Sequence, residues 1–191
     1  MPKVGMEPIR RTALVEATIA ELGARGSLDV TVGQIAKRAG MSTALAHHYF
    51  GGKDQIFLAA MRQILRDFGA EVRRELLAAD TPRARAEAVI KASFAPSCFD
   101  PATISAWMTL YASAQTNPET RRLLGVYQSR LQSNLRHALR PISAQPVQNA
   151  TLLSALIDGL YLRAALSQSQ SAEDARWSAL FALSEILDAS V

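Results

Sequence analysis

The sequence has a single cysteine, Cys98, so it can form no internal disulfide and offers no group of thiolates for a zinc ion. Its longest apolar stretches fall well short of the run of about 18–20 residues that crosses a bilayer. The opening residues, MPKVGMEPIRR, carry charge but lack the apolar core and cleavage site of a secretory signal. Internal repeats and low-complexity segments are also missing. These absences favour a bacterial-type cytoplasmic protein without a membrane partner.

The residues that are present suit a folded chain with a basic first third. Hydrophobic residues make up 49% of the sequence and charged residues 20%, which is enough apolar material for a core and too little charge for disorder. Residues 1–65 contain eight Lys and Arg against five Asp and Glu, and so hold three of the four net positive charges. A basic first third fits a module that faces nucleic-acid phosphates.

Hydrophobic periodicity predicts an all-α protein of about nine helices, because apolar residues recur at helical spacing and strand alternation is nearly absent. Three pairs, Thr81-Pro82, Asp100-Pro101 and Asn117-Pro118, each place an N-cap residue before a first-turn proline. The predicted helices cover residues 8–25, which Gly26 ends, then 32–39, 43–48, 53–79, 82–95, 101–116, 118–139, 147–166 and 172–188, with loops at 95–97 and 140–146.

Two short predicted helices meet at Ala39-Gly40-Met41, within the segment TVGQIAKRAGMSTALAHHYFGGK at residues 31–53. Thr31 and Gln34 have the spacing of a capping box that opens the first helix, and Ser42 is placed to cap the second. A turn of about three residues with a glycine sets such helices at a steep angle, so the second can lie in the major groove of DNA. Polar groups that suit base edges and phosphates follow on that second helix: Ser42, Thr43, His47 and His48. The spacing alone also allows a helix pair that merely packs within a bundle.

This segment resembles the helix-turn-helix of the TetR family of regulators, whose members share the pattern T-x-x-x-I-A-x-x-A-G-x-S-x-x-x-x-x-x-Y/H-F-x-x-K. The chain matches the pattern at Thr31, Ile35, Ala36, Ala39, Gly40, Ser42, Tyr49, Phe50 and Lys53. The resemblance implies a TetR-like fold. It divides the chain into a three-helix DNA-binding domain, residues 1–53, and a helical ligand-binding and dimerisation domain, residues 54–191.

The resemblance also implies which side chains contact operator DNA. They lie on both short helices and just beyond them: Thr31, Gln34, Lys37, Ser42, Thr43, Ala44, His47, His48, Tyr49 and Lys53. Of these, Thr43, Ala44 and His47 would face bases, while Tyr49 and Lys53 would clamp the phosphate backbone. Glycine or proline is common in the family where Ala44 stands, and tyrosine where His47 stands, so the operator sequence stays open.

Aromatic side chains and one carboxylate suggest a second site in the C-terminal two-thirds of the chain. Trp107 and Tyr111 stand four residues apart on one predicted helix, Asp158 and Tyr161 stand three apart on another, and Tyr127 lies on the helix between them. Ring faces and a negative charge together attract a desolvated cation such as a quaternary ammonium group. Aromatic residues at helical spacing also suit a plain apolar core, so both interpretations stand.

Longer stretches resemble the choline-responsive branch of the TetR family, the repressors of glycine betaine synthesis genes. They are the opening residues 1–11, residues 107–113 (WMTLYAS) and residues 155–166 (ALIDGLYLRAAL), and the resemblance runs over nearly the whole chain. It implies an osmoprotection regulator that represses choline uptake and choline oxidation genes. Choline or betaine aldehyde, both small cations, would relieve the repression, and neither a cofactor nor a metal is expected.

The last two predicted helices are apolar enough to pair with a second copy of the chain as a four-helix interface. The residues predicted at this interface are Leu153, Leu156, Ile157, Leu160, Trp177, Leu180 and Phe181. A two-fold homodimer would place its recognition helices on successive major grooves, about 34–36 Å apart, or more widely on a longer operator. The alternative is a monomer whose last helices close its own core.

Two other functions compete with a choline-responsive repressor. An all-helical enzyme with a pocket at Asp158 and Trp107 would need a nucleophile–base pair, a metal-ligand cluster or a phosphate-binding glycine loop, and the sequence has none of these. A TetR-type repressor of another effector, such as an apolar drug or an acyl group, would keep the fold and change the ligand. We therefore expect a non-enzymatic homodimer that binds double-stranded operator DNA and a small cationic effector.

Overall fold

The computed structural model describes residues 5–25, 30–167 and 169–188, and every regular element in these ranges is helical. The all-α prediction is confirmed. The α-helices are α1 (Met6–Arg25), α2 (Val32–Arg38), α3 (Thr43–Phe50), α4 (Lys53–Leu77), α5 (Pro82–Ser93), α6 (Pro101–Ser113), α7 (Pro118–Leu139), α8 (Pro146–Leu166) and α9 (Ala172–Asp188). Gly26, predicted to end the first helix, lies outside the described residues. Within those ranges, no helix combines the length and the hydropathy that a bilayer span requires.

The contacts of the chain divide it into two compact units. The first unit comprises Met1–Leu65 and Asp100–Leu124, and the second comprises Arg66–Phe99 and Gly125–Val191. Helix α4 therefore belongs to the first unit up to Leu65, and α7 belongs to it up to Leu124. The predicted division after residue 53 concerns function rather than packing, and it stays a prediction.

In the first unit, α1 packs most extensively on α6 and also contacts α2 and α3. Leu14 of α1 and Ile35 of α2 are fully buried at the centre of this packing. A β-carbon at Gly23 would lie only 2.7 Å from the Cβ of Ala102, at the start of α6. Glycine at position 23 therefore permits the close approach of α1 and α6.

In the second unit, α8 packs on α9, and α5 packs on both. Leu153 and Ile157 of α8 and Leu183 of α9 are almost completely buried in this core. The segment predicted as a loop at residues 95–97 instead starts a short 3₁₀ helix, Pro96–Phe99. Its first backbone hydrogen bond runs from Cys98 N to Ala95 O, at 2.9 Å, which is the i to i+3 pattern of that helix.

Helix α6 begins where the sequence predicts, with Asp100 at the N-cap position and Pro101 in the first turn, but its predicted end is wrong. Asp100 stands at the N-cap position, but its side chain accepts no capping hydrogen bond. The helix ends at Ser113 rather than near residue 116, because the amides of Gln115 and Thr116 bond to carbonyls three residues back and Pro118 prevents continuation. Arg121 of α7 donates to the carbonyls of Ala114 and Gln115, which satisfies the end of α6.

Candidate nucleic-acid interface and ligand site

The capping box that the sequence predicts at the start of α2 is present, and further hydrogen bonds form the turn between α2 and α3. Thr31 and Gln34 form a reciprocal capping box, with Gln34 N donating to Thr31 Oγ1 and Thr31 N donating to Gln34 Oε1 at 2.8 Å. Gly40 has a φ of 67°, and Met41 N donates to Ala36 O at 2.8 Å. This is a Schellman motif, which requires a left-handed residue where the glycine stands. It ends α2 sharply and redirects the chain into α3.

Helix α3 exposes the face that the sequence assigns to DNA. Ser42 caps it, since Leu45 N donates to Ser42 Oγ at 3.2 Å. Its buried residue is Ala46, with no accessible surface. The exposed side chains are those of Ser42, Thr43, Ala44, His47 and His48. A short helix that buries one small side chain and exposes polar groups is physically able to enter a groove.

The other predicted DNA contacts also lie in the first unit. Thr31, Lys37 and Lys53 are exposed, whereas Gln34 and Tyr49 are partly buried. The ring of His47 bonds through Nδ1 to the Gly51 carbonyl at 3.2 Å. If that nitrogen carries the proton, the neutral ring keeps Nε2 as an acceptor. The structure thus brings all ten residues into one compact unit, and their contacts with DNA stay a prediction.

Two arginines of α1, Arg10 and Arg11, contact the last turn of α3, and the sequence reasoning missed both. Arg10 Nη1 donates to the Tyr49 hydroxyl at 3.3 Å, and Arg11 Nη1 donates to the Tyr49 carbonyl. The Arg11 guanidinium carbon also lies 4.4 Å from the centre of the Phe50 ring. Nothing in the local sequence signals contacts across 38 or 39 residues, although two adjacent arginines in a first helix already indicate a basic surface.

In the second unit, Tyr127 and Asp158 are joined. The Tyr127 hydroxyl donates to Asp158 Oδ1 at 2.8 Å, and the Phe68 ring centre is 5.9 Å from that of Tyr127. Burial raises the pKa of the Asp158 carboxyl, and the hydrogen bond from Tyr127 lowers it by less. A carboxylate bonded to one aromatic side chain, whose ring lies near a second ring, is an arrangement that can attract a cation. Phe68 is not among the residues that the sequence assigns to this site, because its spacing in α4 is that of a core position.

Tyr161, one turn after Asp158 on α8, is engaged elsewhere in the second unit. Its hydroxyl donates to the Cys98 carbonyl at 2.9 Å, and its ring centre is 5.2 Å from that of Phe99. Phe99 in turn stacks on Phe94. Burial raises the pKa of the Cys98 thiol to about 11, so this cysteine stays protonated and unreactive near neutral pH. Tyr161 therefore has a structural partner in addition to its predicted ligand role.

Trp107 and Tyr111 form their own ring pair on α6, in the first unit. Their ring centres are 5.9 Å apart with an interplanar angle of 32°, as expected for residues four apart on a helix. In the second unit, two clefts of about 270 and 360 Å³ lie along α7 and α8. Both are lined by Ser133, Arg136 and Val147, and neither is lined by a predicted ligand residue.

The burial of α8 and α9 requires a correction to the predicted dimer residues. Leu153, Ile157 and Leu160 belong to the core of the protomer, because this stripe of α8 faces inward, so they are not available to a second copy. Leu156 and Leu180 are partly exposed. Trp177 and Phe181 are 65% and 52% exposed, and their rings stack with centres 5.4 Å apart. The outward large apolar residues of α8 are instead Val147, Leu152 and Leu166.

Two family profiles match the chain. Residues 14–60 match the one described as bacterial regulatory proteins of the tetR family, and residues 82–188 match the BetI-type transcriptional repressor C-terminal domain. The HTH-type transcriptional regulator BetI of Brucella anthropi is 51% identical over 168 residues, which are 87% of each chain. That of Agrobacterium fabrum is 46% identical over 170 residues, covering 87% of this chain and 82% of the relative.

Solved structures share the fold at lower sequence identity. A TetR transcription regulator from Haloarcula marismortui superposes with a TM-score of 0.82 at 20% identity, covering 96% of this chain and 98% of the other. A transcriptional regulator from Saccharomonospora viridis, solved in complex with choline, gives a TM-score of 0.77 at 22% identity, covering 93% and 95%. At these identities the structures establish the fold alone.

Proposed function

Because the chain belongs to the TetR family and carries a BetI-type repressor domain, it is a DNA-binding transcriptional repressor and not an enzyme, and we propose that it represses genes of choline uptake and glycine betaine synthesis. A choline-like cation, choline itself or betaine aldehyde, relieves the repression. The protein acts in the cytoplasm, where it meets both operator and effector. The observation that carries the proposal is the outward face of α3, inside a chain about half identical to BetI regulators.

The contact with operator DNA is proposed for the exposed residues of α2, α3 and the start of α4. Thr43, Ala44 and His47 stand on the exposed face of α3 and would contact base edges. Thr31, Gln34 and Lys37 would reach phosphates or groove edges, as would Ser42, His48, Tyr49 and Lys53. Most contacts of this second kind carry no sequence information but fix the register of the protein on the duplex.

The effector site is proposed at Tyr127 and Asp158, with Tyr161 one turn further along α8. Asp158 accepts one hydrogen bond from Tyr127, and a carboxylate has further lone pairs with which it can attract a cation. The rings of Tyr127 and Phe68 supply π faces. A regulator of the same fold binds choline in its solved complex, which supports a quaternary ammonium effector here. An apolar drug or an acyl chain would gain nothing from the carboxylate.

The switch is proposed to pass through α6. This helix carries the Trp107–Tyr111 pair, whose rings we propose as effector contacts. It packs on α1 in the same compact unit as α3. A displacement of α6 would therefore be passed to α1 and to the recognition helix. The mechanism needs only that the effector binds the conformation with low operator affinity more tightly than the other.

TetR regulators bind operator DNA and act as dimers, and for this chain we propose α8 and α9 as the interface. Trp177 and Phe181 are exposed, large and apolar, which is unusual for a surface that stays in water. Leu156 of α8 and Leu180 of α9 are partly exposed, and Leu152 replaces the buried Leu153 as an outward leucine.

One titration tests the proposal. The wild-type chain first selects an operator from a random duplex library, and its affinity is then measured at fixed salt with choline or with 3,3-dimethyl-1-butanol, the uncharged isostere. We expect choline alone to lower operator affinity and to change tryptophan fluorescence. Equal effects of the two compounds would favour an apolar effector. No selection of any duplex at low salt, with Lys53→Ala behaving like wild type, would contradict DNA binding.

A further inference from the structure

Arg10 and Arg11 are adjacent in α1 but stand in different electrostatic surroundings. Arg11 lies 3.6 Å from the Glu7 carboxylate, so its charge is compensated. Among the described residues, the partner of Arg10 is the neutral hydroxyl of Tyr49, and no carboxylate forms an ion pair with it. Arg10 therefore keeps a full positive charge beside Tyr49, a residue already proposed to clamp the DNA backbone.

The hydrogen bond between Arg10 and Tyr49 leaves donors available to an anion. Arg10 donates to the Tyr49 oxygen, so the hydroxyl proton of Tyr49 is left to donate to another acceptor. A guanidinium carries five N–H donors, and four of them remain beyond this bond. A phosphate oxygen accepts charge-assisted bonds of this kind well.

The Arg11 contacts act on the geometry of α3 instead. Helix α3 has eight residues and buries only Ala46, so few contacts hold its direction. Its last carbonyls have no partner within the helix, which ends at Gly51 with a φ of 79°. Arg11 donates to one of these carbonyls, places a positive charge at the negative end of the helix dipole, and stacks on Phe50.

We propose that Arg10 and the Tyr49 hydroxyl together form a phosphate-binding group, and that Arg11 is a positioning residue that fixes the recognition helix at its C-terminal end. This inference rests on the proposed DNA-binding function. Arg10 adds affinity for any duplex, whereas Arg11 adds preference for the operator, because bases are contacted only when α3 holds its direction.

The salt dependence of binding separates the two roles. Arg10→Gln, Arg10→Lys, Arg11→Lys and the control Arg62→Gln, which removes an exposed arginine of α4 in the same unit, are each titrated against the selected operator and a scrambled duplex. The full-length chain is used between about 50 and 200 mM salt. Thermal unfolding of each variant, followed by circular dichroism, checks that it folds.

For Arg10→Gln we expect the slope of log K against log salt to shrink by about 1.8 for the bound dimer, because each subunit loses one phosphate contact worth about 0.9, with equal losses on both duplexes. Arg10→Lys should keep the slope, and so should Arg62→Gln. A wild-type slope in Arg10→Gln would overturn the phosphate-binding role, and so would the same loss in Arg62→Gln.

For Arg11→Lys, which keeps the charge, we expect a wild-type slope but a ratio of operator to scrambled affinity that is lower by roughly tenfold for each subunit of the dimer, as one lost charged hydrogen bond per subunit gives. Amides of residues 43–50 should also exchange hydrogen faster. If the lysine variant does not fold, Phe50→Leu removes the ring face instead and should lower the ratio in the same way. An unchanged ratio would overturn the positioning role. A wild-type chain that ignores both duplexes would instead contradict the proposed function itself.

Discussion

The two compact units carry their candidate sites in opposite states of burial. In the first unit, Thr43 and His47 are exposed on a helix that buries only one alanine. In the second, Tyr127 and Tyr161 are 9% and 7% exposed and donate hydrogen bonds to Asp158 and to Cys98 O. A duplex is a large partner that meets side chains at the surface, whereas a small cation is bound tightly only where water is removed.

The two kinds of site should differ in their effect on the free energy of unfolding. Exposed hydroxyl and imidazole groups cost the fold little, because water solvates them until DNA arrives. A buried carboxylate is costly, and its raised pKa reports that cost. The second unit should therefore gain stability when its site is made neutral, and the first unit should not. The predictions below sharpen or break this contrast, starting from the largest expected effect.

The Trp177 and Phe181 rings of α9 are exposed, although the candidate effector site of the second unit is buried. Replacing these rings should have the largest effect on oligomeric state and operator affinity. With Trp177→Glu and Phe181→Glu together, we expect a monomer at micromolar concentration, because two charges on each subunit would have to be desolvated in the interface. Operator affinity should fall about 100-fold or more as the two recognition helices lose their link. Sedimentation velocity and operator titration measure the two effects.

A matched control is Val126→Glu, which places a charge at an exposed apolar position of α7. It should leave the oligomeric state and operator affinity unchanged. A double variant of α9 that remains dimeric would remove these rings from the interface and leave their exposure unexplained.

Asp158→Asn should have the next largest effect, with opposite signs on ligand and stability. Asparagine keeps the volume and can still accept from Tyr127, so the change removes only the charge. We expect choline affinity to fall about 30-fold, or roughly 2 kcal/mol, as for a buried charge pair that loses one partner. Calorimetric titration measures this loss. Asp80→Asn, an exposed position of the same unit, should bind choline like wild type.

The pH dependence follows from the raised pKa of Asp158. A raised folded pKa means that the carboxyl stabilises the fold below its ordinary pKa, and that this contribution is lost as pH rises through the raised value. At pH 7 without ligand, Asp158→Asn should therefore unfold at a higher temperature than wild type. Choline binding to wild type should weaken as pH falls through the raised pKa, since protonation removes the charge. The choline affinity of Asp158→Asn should not vary with pH, because the variant has no carboxyl at this position. An Asp158→Asn chain that is less stable than wild type at pH 7 would contradict the buried-charge account.

The first unit was the more predictable because its signals are local. The capping box at Thr31, the left-handed Gly40 and the cap at Ser42 each follow from residues fewer than four positions apart, and all three are present. The link from Arg11 to the Tyr49 carbonyl spans 38 residues, so only packing reveals it. Tyr161 shows the same limit in the second unit, since its bond to Cys98 O spans 63 residues.

Helical periodicity also failed to determine which stripe of α8 faces outward. Leu152 and Leu153 are adjacent and chemically identical, yet the first is 57% exposed and the second fully buried. Adjacent residues on a helix point about 100° apart. When a helix has two apolar stripes, the sequence pattern does not predict which stripe is buried in the protomer. The choice is made by α5 and α9, which pack on one side of α8.

Gly23→Ala tests the close contact between α1 and α6 in the first unit. The new Cβ would stand 2.7 Å from that of Ala102, so α1 and α6 must separate, and we expect the free energy of unfolding to fall by about 1.5 kcal/mol. Gly69→Ala in α4 has open space around its Cβ and should raise it by about 0.5–1 kcal/mol. Urea unfolding measures both. Equal effects of the two substitutions would contradict a close approach at Gly23.

The smallest expected effect concerns Tyr161→Phe, which removes only the hydroxyl that bonds to the Cys98 carbonyl. One neutral hydrogen bond contributes about 1 kcal/mol, so local opening around Cys98 should become roughly 5-fold more frequent. The buried thiol, with a pKa of about 11, reacts with a disulfide reagent only when that region opens. Its reaction rate in the native protein therefore measures the opening directly.

The same substitution leaves the ring against Phe99 and should leave operator affinity unchanged, because none of the exposed groups of α3 is altered. A wild-type reaction rate would show that packing of the rings, rather than the hydrogen bond, keeps this part of the second unit closed.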